Sequence, residues 1–388
     1  MIRAFRAERL FDGARVLSGA TLVVEDAQIA AVLPAGDTPQ GVPVEDLGPG
    51  ILAPGLIDLQ VNGGDGVMLG AGATANMIAR ICAAHTRLGA TGIMPTLITD
   101  RPEVTAQVIE AGIAAVRARV PGFLGLHLEG PHLDPRRAGA HDPALIRPMT
   151  EPDLAALEIA ARALPALMVT LAPEAATAEQ IARLARAGAV VSLGHSDCAS
   201  EAAEAAFAAG ARAVTHLFNA MSQLAGRAPG LVGASLAGPV HAGIIADGVH
   251  VADAALRTAL AAKAPDRLFV VSDAMAVAGT GLTAFTLGAR RIARADGRLT
   301  LADGTLAGAD ISLPRSIAHL TRLGCDPARA LAMATRIPAG LVGARDRGAL
   351  GPGLPADFVH LDADMMLRAV WQSGERLPQA APDRGAAG

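Results

Sequence analysis

Between residues 51 and 345 eight short apolar runs recur, most of them separated by alanine-rich stretches that end in glycine. The runs are ILAPGLIDLQVN, TGIMPTLIT, FLGLHLEG, LMVTLAP, VVSLGHS, AVTHLFN, AGIIADGVH and LFVVSDA. Near-continuous apolarity, rather than strict alternation, marks strands covered on both faces, as in a parallel sheet. The intervening ATAEQIARLARAG and CASEAAEAAFAAG carry apolar residues at spacings of three and four. They read as crossover helices, with glycine as the stop. Eight strands alternating with helices favour an α/β fold closed into a (β/α)8 TIM barrel over an open sheet. At 388 residues the chain holds one such barrel with roughly a hundred residues to spare.

The surplus lies at the two ends. Residues 1–50 contain short alternating runs (TLVVED, QIAAVLP) broken by Gly, Pro and Asp, and ADFVHLDA and LRAVWQSGE share that character. Short strands need partners to be stable. The expected organisation is a small β-sandwich domain formed by both termini, 1–50 and 346–388, around a barrel at 51–345. Segment 285–305 reads as a β-hairpin insert with an Asp-Gly turn.

A net charge of −4 argues against a basic nucleic-acid surface and a polybasic membrane anchor. The start, MIRAFRAERLFDG, lacks the apolar stretch of a signal peptide, and no window reaches the length of a membrane span. Cys82, Cys198 and Cys325 show no CxxC spacing and form no even set, as reduced, buried small hydrophobes would. The expectation is a soluble cytoplasmic protein with neither nucleic acid nor membrane as partner.

Four polar residues, Glu129, His195, His216 and Asp273, each close one of the runs. If the strands are parallel, all four arrive at the C-terminal rim, where the active sites of closed barrels sit. A buried carboxylate needs a cation. One carboxylate and two imidazoles leave an open position for water, as catalytic zinc sites do. Asp273 then remains as a proton carrier, with helix N-capping as its structural alternative. Gln60 and Asn62 close the first run with amides, which are weak ligands, so a second metal is not expected. Satisfying strand-end backbone groups is an equal alternative for them. His141 and His250 fall in loops, where each could polarise a carbonyl, hold an anion or do neither. The loop 216–233, with Asn219, Arg227 and several glycines, suits a phosphate without being a Walker or dinucleotide fingerprint. His85, His319 and His360 are assigned no chemistry; His132 and His241 stay open.

The stretches PGLIDLQVNGGDG, GLHLEGPHLDPRRAGAHDP, LGHSDC, THLFNAMSQLAGRAPGLVG, IADGVHV, VSDAMAVAGT and GTLAGA, in this order, resemble the N-acetylglucosamine-6-phosphate deacetylase family of the amidohydrolase superfamily. The C-terminal MATRIPAGLVG and GALGPGLPADFV look like the same family. The resemblance implies that Glu129, His195 and His216 bind one divalent ion per subunit, Zn²⁺ or Fe²⁺, and that Asp273 is the catalytic acid/base. It implies a protonated His141 assisting at the acetyl carbonyl. Asn219, the Ala220 backbone, His250 and Leu306 of GTLAGA would contact the amino sugar phosphate. Arg227 would reach the phosphate in the neighbouring subunit of a homodimer, and Gln60 and Asn62 match the HxH variant of single-metal members. After LAGA the chain reads DISLPRS where the family usually continues Ser/Ala-Leu-Thr-Met, so gluco and galacto substrates both stay open. The resemblance therefore implies deacetylation of N-acetylglucosamine 6-phosphate, with N-acetylgalactosamine 6-phosphate as the alternative. A non-catalytic scaffold is the remaining rival.

Overall fold

The structure, a computed structural model, describes residues 1–378. Each of the eight runs contributes a strand to one parallel sheet. Barrel strands 1 to 8 are Leu56–Val61, Ala90–Ile98, Leu126–Glu129, Leu167–Leu171, Val190–Leu193, Ala213–Val214, His241–Ile244 and Leu268–Val270. Each pairs in parallel with the next in sequence order. Strands 1 and 8 end the ladder and meet through the parallel bridge Val61–Ala274, which nearly closes the barrel.

Helices such as Ala75–Arg87, Pro102–Arg117, Glu151–Ala163 and Ala178–Arg186 lie between the strands. Local chemistry sets their ends. Thr177 accepts from Gln180 N while the Gln180 side chain accepts from Thr177 N, a reciprocal cap that satisfies two donors left over by the first turn.

The barrel interior is not uniformly apolar. Below the rim, His127 Nδ1 meets Thr96 Oγ1 at 3.3 Å and its Nε2 meets Thr170 Oγ1 at 2.7 Å. Thr170 continues to Thr215 at 2.6 Å, and Thr215 to Ser192 at 2.7 Å. This buried polar layer ties strands 2 to 6 together, and hydrogen-bonding partners throughout offset its desolvation.

The first run proves to belong to two sheets. Ile51–Pro54 pairs with Arg9–Phe11 and Phe358–Leu361, and only from Leu56 does the chain enter the barrel. The break falls at Gly55, where a Cβ would come within 1.9 Å of Thr91 Oγ1.

The terminal strands form two sheets, as a β-sandwich requires. One holds Ile2–Arg6, Thr21–Glu25, Gln28–Leu33 and Val44–Asp46; the other joins Arg9–Phe11, Val16–Ser18 and Ile51–Pro54 to Phe358–Leu361, Leu367–Gln372 and Glu375–Arg376. Residues 379–388 of the expected C-terminal segment lie outside the described residues. Phe5, Leu10, Leu22, Phe358 and Trp371 are buried together in this unit. Phe358 stacks on Trp371 at 4.6 Å and Phe5 meets it edge-on at 5.4 Å. Trp371→Ala is expected to cost about 3–5 kcal/mol, the scale for deleting a packed aromatic. Urea unfolding of the variant checks this, and an unchanged midpoint would count against the packing described.

The insert at 285–305 is larger than a hairpin. Ala284–Leu287, Arg290–Ala295, Arg298–Thr300 and Leu306–Ala309 make a four-stranded antiparallel sheet. Its Ile292, Leu299 and Ala307 pack on Met275 and Val277 just beyond strand 8. Gly288 and Gly304, both at positive φ, supply turns besides Asp296-Gly297. Among the described residues no helix is long and apolar enough to cross a membrane.

Candidate active site

Glu129 is the last residue of strand 3, and His195, His216 and Asp273 lie just past strands 5, 6 and 8. The latter three share an uncommon backbone: φ is +47°, +29° and +49°. Non-glycine residues in the left-handed region cost about 1–3 kcal/mol each and collect where function requires a side chain to be aimed.

The aim is convergent. Glu129 Oε1 lies 3.2 Å from His195 Nε2 and 3.0 Å from His216 Nε2, and the two nitrogens are 3.0 Å apart. Four ligands held at about 2.0 Å around a tetrahedral ion would stand about 3.3 Å from one another. The observed triangle is close to that spacing. His195 Nδ1 donates to the Arg137 carbonyl at 2.8 Å, so in the neutral ring Nε2 carries the lone pair. A lone pair facing a carboxylate is repulsive unless something positive lies between them. His216 Nδ1 is buried without a hydrogen-bond partner among the described residues. Glu129, His141 and His195 form a wider group, with ligand atoms within 4.8 Å of one another. The tighter triangle with His216 is the better cage, because His141 Nδ1 accepts from Thr99 N, which leaves the proton on Nε2 and no lone pair there for a cation. These residues therefore fit a first-row divalent cation.

Burial pushes the Glu129 carboxyl up, but the two imidazoles beside it hold it well below the usual range, so it is the negative member of the triangle. Burial opposes charge on His216, yet the Glu129 hydrogen bond and charge raise it above its ordinary value, so an ion held by this ring would take the place of that proton. One amide, that of Gln60, links Glu129 to Asp273, and a second, that of Asn62, holds Asp273. Gln60 Nε2 donates to both Glu129 oxygens at 3.2 Å and to Asp273 Oδ1 at 3.1 Å, and Asn62 Nδ2 donates to the same Oδ1 at 2.7 Å. Asp273 is pushed up to about 6, first by burial and then by the negative charge of Glu129. A carboxyl poised there can both take and return a proton near neutral pH.

His141 is not the protonated ring expected. Burial, then the charge of His195, lower it to about 3, so it is neutral. Its Nδ1 accepts from Thr99 N at 3.2 Å and contacts Thr99 Oγ1 at 2.7 Å. The proton therefore sits on Nε2, which makes His141 a neutral donor.

One cavity of about 400 Å³ is lined by Glu129, His195, His216, Asp273 and His141 together with Asn62, Asn219, Ala220, His250 and Leu306. Gln60 lies beneath, committed to the two carboxylates. Arg227 is exposed and is not part of the lining. Among the described residues no Phe, Trp or Tyr lines the cavity, consistent with a composition that includes one Trp and no Tyr. His241 begins strand 7 at the opposite end of the barrel, and His132 Nδ1 lies 3.2 Å from the Arg147 carbonyl. His85 is pinned to the Gly63 carbonyl at 2.9 Å.

Several supporting residues escaped the sequence reading. Thr99 sets the His141 tautomer. Asp247 Oδ2 lies 2.6 Å from His250 Nδ1, and its Oδ1 accepts from the backbone N–H groups of Val249 and His250. Asp58, fully buried, is pushed up to about 7 by burial against hydrogen bonds from Ser272 and Gln60. In Asp247-Gly-Val-His250 the three-residue spacing was a usable signal, since Asp readily closes such a turn on its own backbone.

Residues 51–380 match the family model described as Amidohydrolase family. An N-acetylgalactosamine-6-phosphate deacetylase from Shewanella is 39% identical over 337 residues, covering 86% of this chain and 85% of its own. The human N-acetylglucosamine-6-phosphate deacetylase is 38% identical over 353 residues, with 86% and 85% covered. The crystal structure of N-acetylglucosamine-6-phosphate deacetylase from Pasteurella multocida superposes with a TM-score of 0.92 at 32% identity, covering 97% of this chain and 100% of that one.

Proposed function

The chain belongs to the amidohydrolase family, and from that premise we propose that it hydrolyses the acetamide of N-acetylglucosamine 6-phosphate to glucosamine 6-phosphate and acetate. The observation that carries this reading is the Glu129–His195–His216 triangle with Asp273 tied beside it through Gln60. Glu129, His195 and His216 would hold one divalent ion, Zn²⁺ or Fe²⁺. Such an ion, when bound, polarises a carbonyl and lowers the pKa of a bound water from ~15.7 toward ~7.

The remaining work falls to side chains. Asp273 takes the proton from the attacking water through Oδ2, the oxygen that Asn62 and Gln60 leave to the cavity. The neutral His141 donates Nε2–H to the acetyl oxygen as negative charge builds on it, a form of stabilisation that needs no protonated ring. Asp273 then returns the proton to the departing amine. Asn219, the Ala220 backbone, His250 and Leu306 hold the sugar phosphate so that the amide meets these groups in register. Arg227, exposed and outside its own pocket, suits delivery to the phosphate of a neighbouring subunit in a homodimer. Three buried, unpaired cysteines suit a cytoplasmic enzyme.

The Shewanella relative favours a second reading in which the galacto epimer is the substrate. Acetate release from a panel of N-acetylated hexosamine 6-phosphates, with cation content measured on the same sample, decides between them. Release is expected from the gluco substrate, lost on chelation and restored by a divalent ion. A cation-loaded preparation inert toward the whole panel would reject both readings.

A further inference from the structure

We propose that Asp58 is a positioning residue for this reaction: its carboxylate clamps the barrel seam between strands 1 and 8, fixing Gln60 and Asp273 against the Glu129 cluster. The inference rests on the role given to Asp273 above.

Strands 1 and 8 are the two ends of the eight-stranded ladder, so no continuous run of backbone hydrogen bonds joins them. Near the rim the seam is held by Asn62 N and Gly63 N, which donate to the Ala274 carbonyl at 2.8 and 3.2 Å. Deeper in, a side chain replaces the missing ladder. Ser272 N donates to both Asp58 oxygens at 3.2 Å, and Gln60 N donates to Oδ1 at 3.2 Å. Asp58 has 0% exposure and forms no ion pair with Lys or Arg among the described residues. A buried carboxylate without a cation beside it is costly to fold around, so its hydrogen bonds must do something that an apolar residue could not.

Their placement shows what that is. Asp273 sits at φ +49°, a conformation its own torsional preference opposes. Its flanks are therefore pinned from outside: Ser272 N on Asp58, the Asp273 carbonyl by Ala309 N at 3.0 Å, and the Ala274 carbonyl by Asn62 N. Gln60, which donates to Asp273 Oδ1, hangs by its own backbone N–H from the same Asp58 oxygen. Both ends of the Gln60–Asp273 hydrogen bond are thus referred to one carboxylate. In Asp58→Asn the Oδ1 position still accepts from Gln60 N, but Oδ2 becomes an NH₂ against the Ser272 N–H, which loses one of its two acceptors with little change in shape.

Cation-loaded Asp58→Asn is compared with wild type by acetate release, cation content and amide hydrogen exchange at Ser272 and Gln60. The expected result is an unchanged cation content and KM, a kcat lower by about 10–100-fold, the scale for losing an outer-shell partner, and faster exchange at both amides. A merely structural role would not confine the loss to kcat. Wild-type kcat, unaltered exchange, or an activity loss that tracks lost cation would each overturn the proposal. If Asp58→Asn fails to fold, exchange in the wild type decides: Ser272 must be among the slow amides, and fast exchange there overturns the clamp. Absence of acetate release from the wild type would instead overturn the proposed function, and with it the reaction role of Asp58.

Discussion

Asp273→Asn is expected to lower acetate release by about 10²–10⁴-fold, the usual share of a general acid–base group, while fold and cation content stay as they are. Asparagine keeps an oxygen for the Asn62 and Gln60 amides and tolerates positive φ better than most residues. The ground state is therefore preserved, and what disappears is the group able to take the proton. The pH profile adds a second signature. Burial and the Glu129 charge hold the Asp273 carboxyl at about 6. An acid–base role of this kind begins with the carboxylate, so the rate is full above the Asp273 pKa and falls as pH drops through it. A cation at Glu129 offsets the negative charge there and favours the ionised form. The acid limb should thus lie at or below about 6 in the wild type and be missing from the variant. Near-normal turnover, or an acid limb that survives the substitution, would remove Asp273 from the mechanism.

The parts of this site that were readable in the sequence are those set by strand position. Each of the eight runs ends where the barrel rim requires, so a polar residue at that end is carried to the mouth whatever its neighbours are. That is why Glu129, His195, His216 and Asp273 could be grouped although they end or follow four different strands. What depends on a tertiary neighbour was not readable. The tautomer of His141 is decided by Thr99, 42 residues away. Its neutrality follows from burial that no local pattern reveals. Asp58 stands within an apolar run and offers no spacing to distinguish it, because its partner, Ser272, is 214 residues further on. The split of the first run at Gly55 was hidden for a related reason: both halves are fully buried, each being covered on both faces. The insert was underestimated because one Asp-Gly turn was counted, whereas Asp303-Gly304 offered a second and the remaining turn rests on Gly288, which has no Asp before it.

Glu129→Gln carries the other large effect, and it reads the cation directly. Glu129 supplies the only negative charge in the triangle, and its Oε1 stands against both imidazole Nε2 atoms. The amide keeps the size but loses the charge, and its NH₂ would meet the Gln60 NH₂ that now donates to both carboxylate oxygens. Loss of an outer partner already weakens metal sites by about 10–100-fold, so loss of the charged ligand should exceed that. Purified Glu129→Gln is expected to carry little cation and to release no measurable acetate. Stability provides an independent readout. A ligand present at about 1,000 times its Kd stabilises the folded state by about 4.1 kcal/mol. Chelation should therefore lower the melting temperature of the wild type by several degrees and leave that of Glu129→Gln where it was. A variant that retains one cation per subunit, or a wild type whose melting ignores the chelator, would mean that the triangle does not hold the ion.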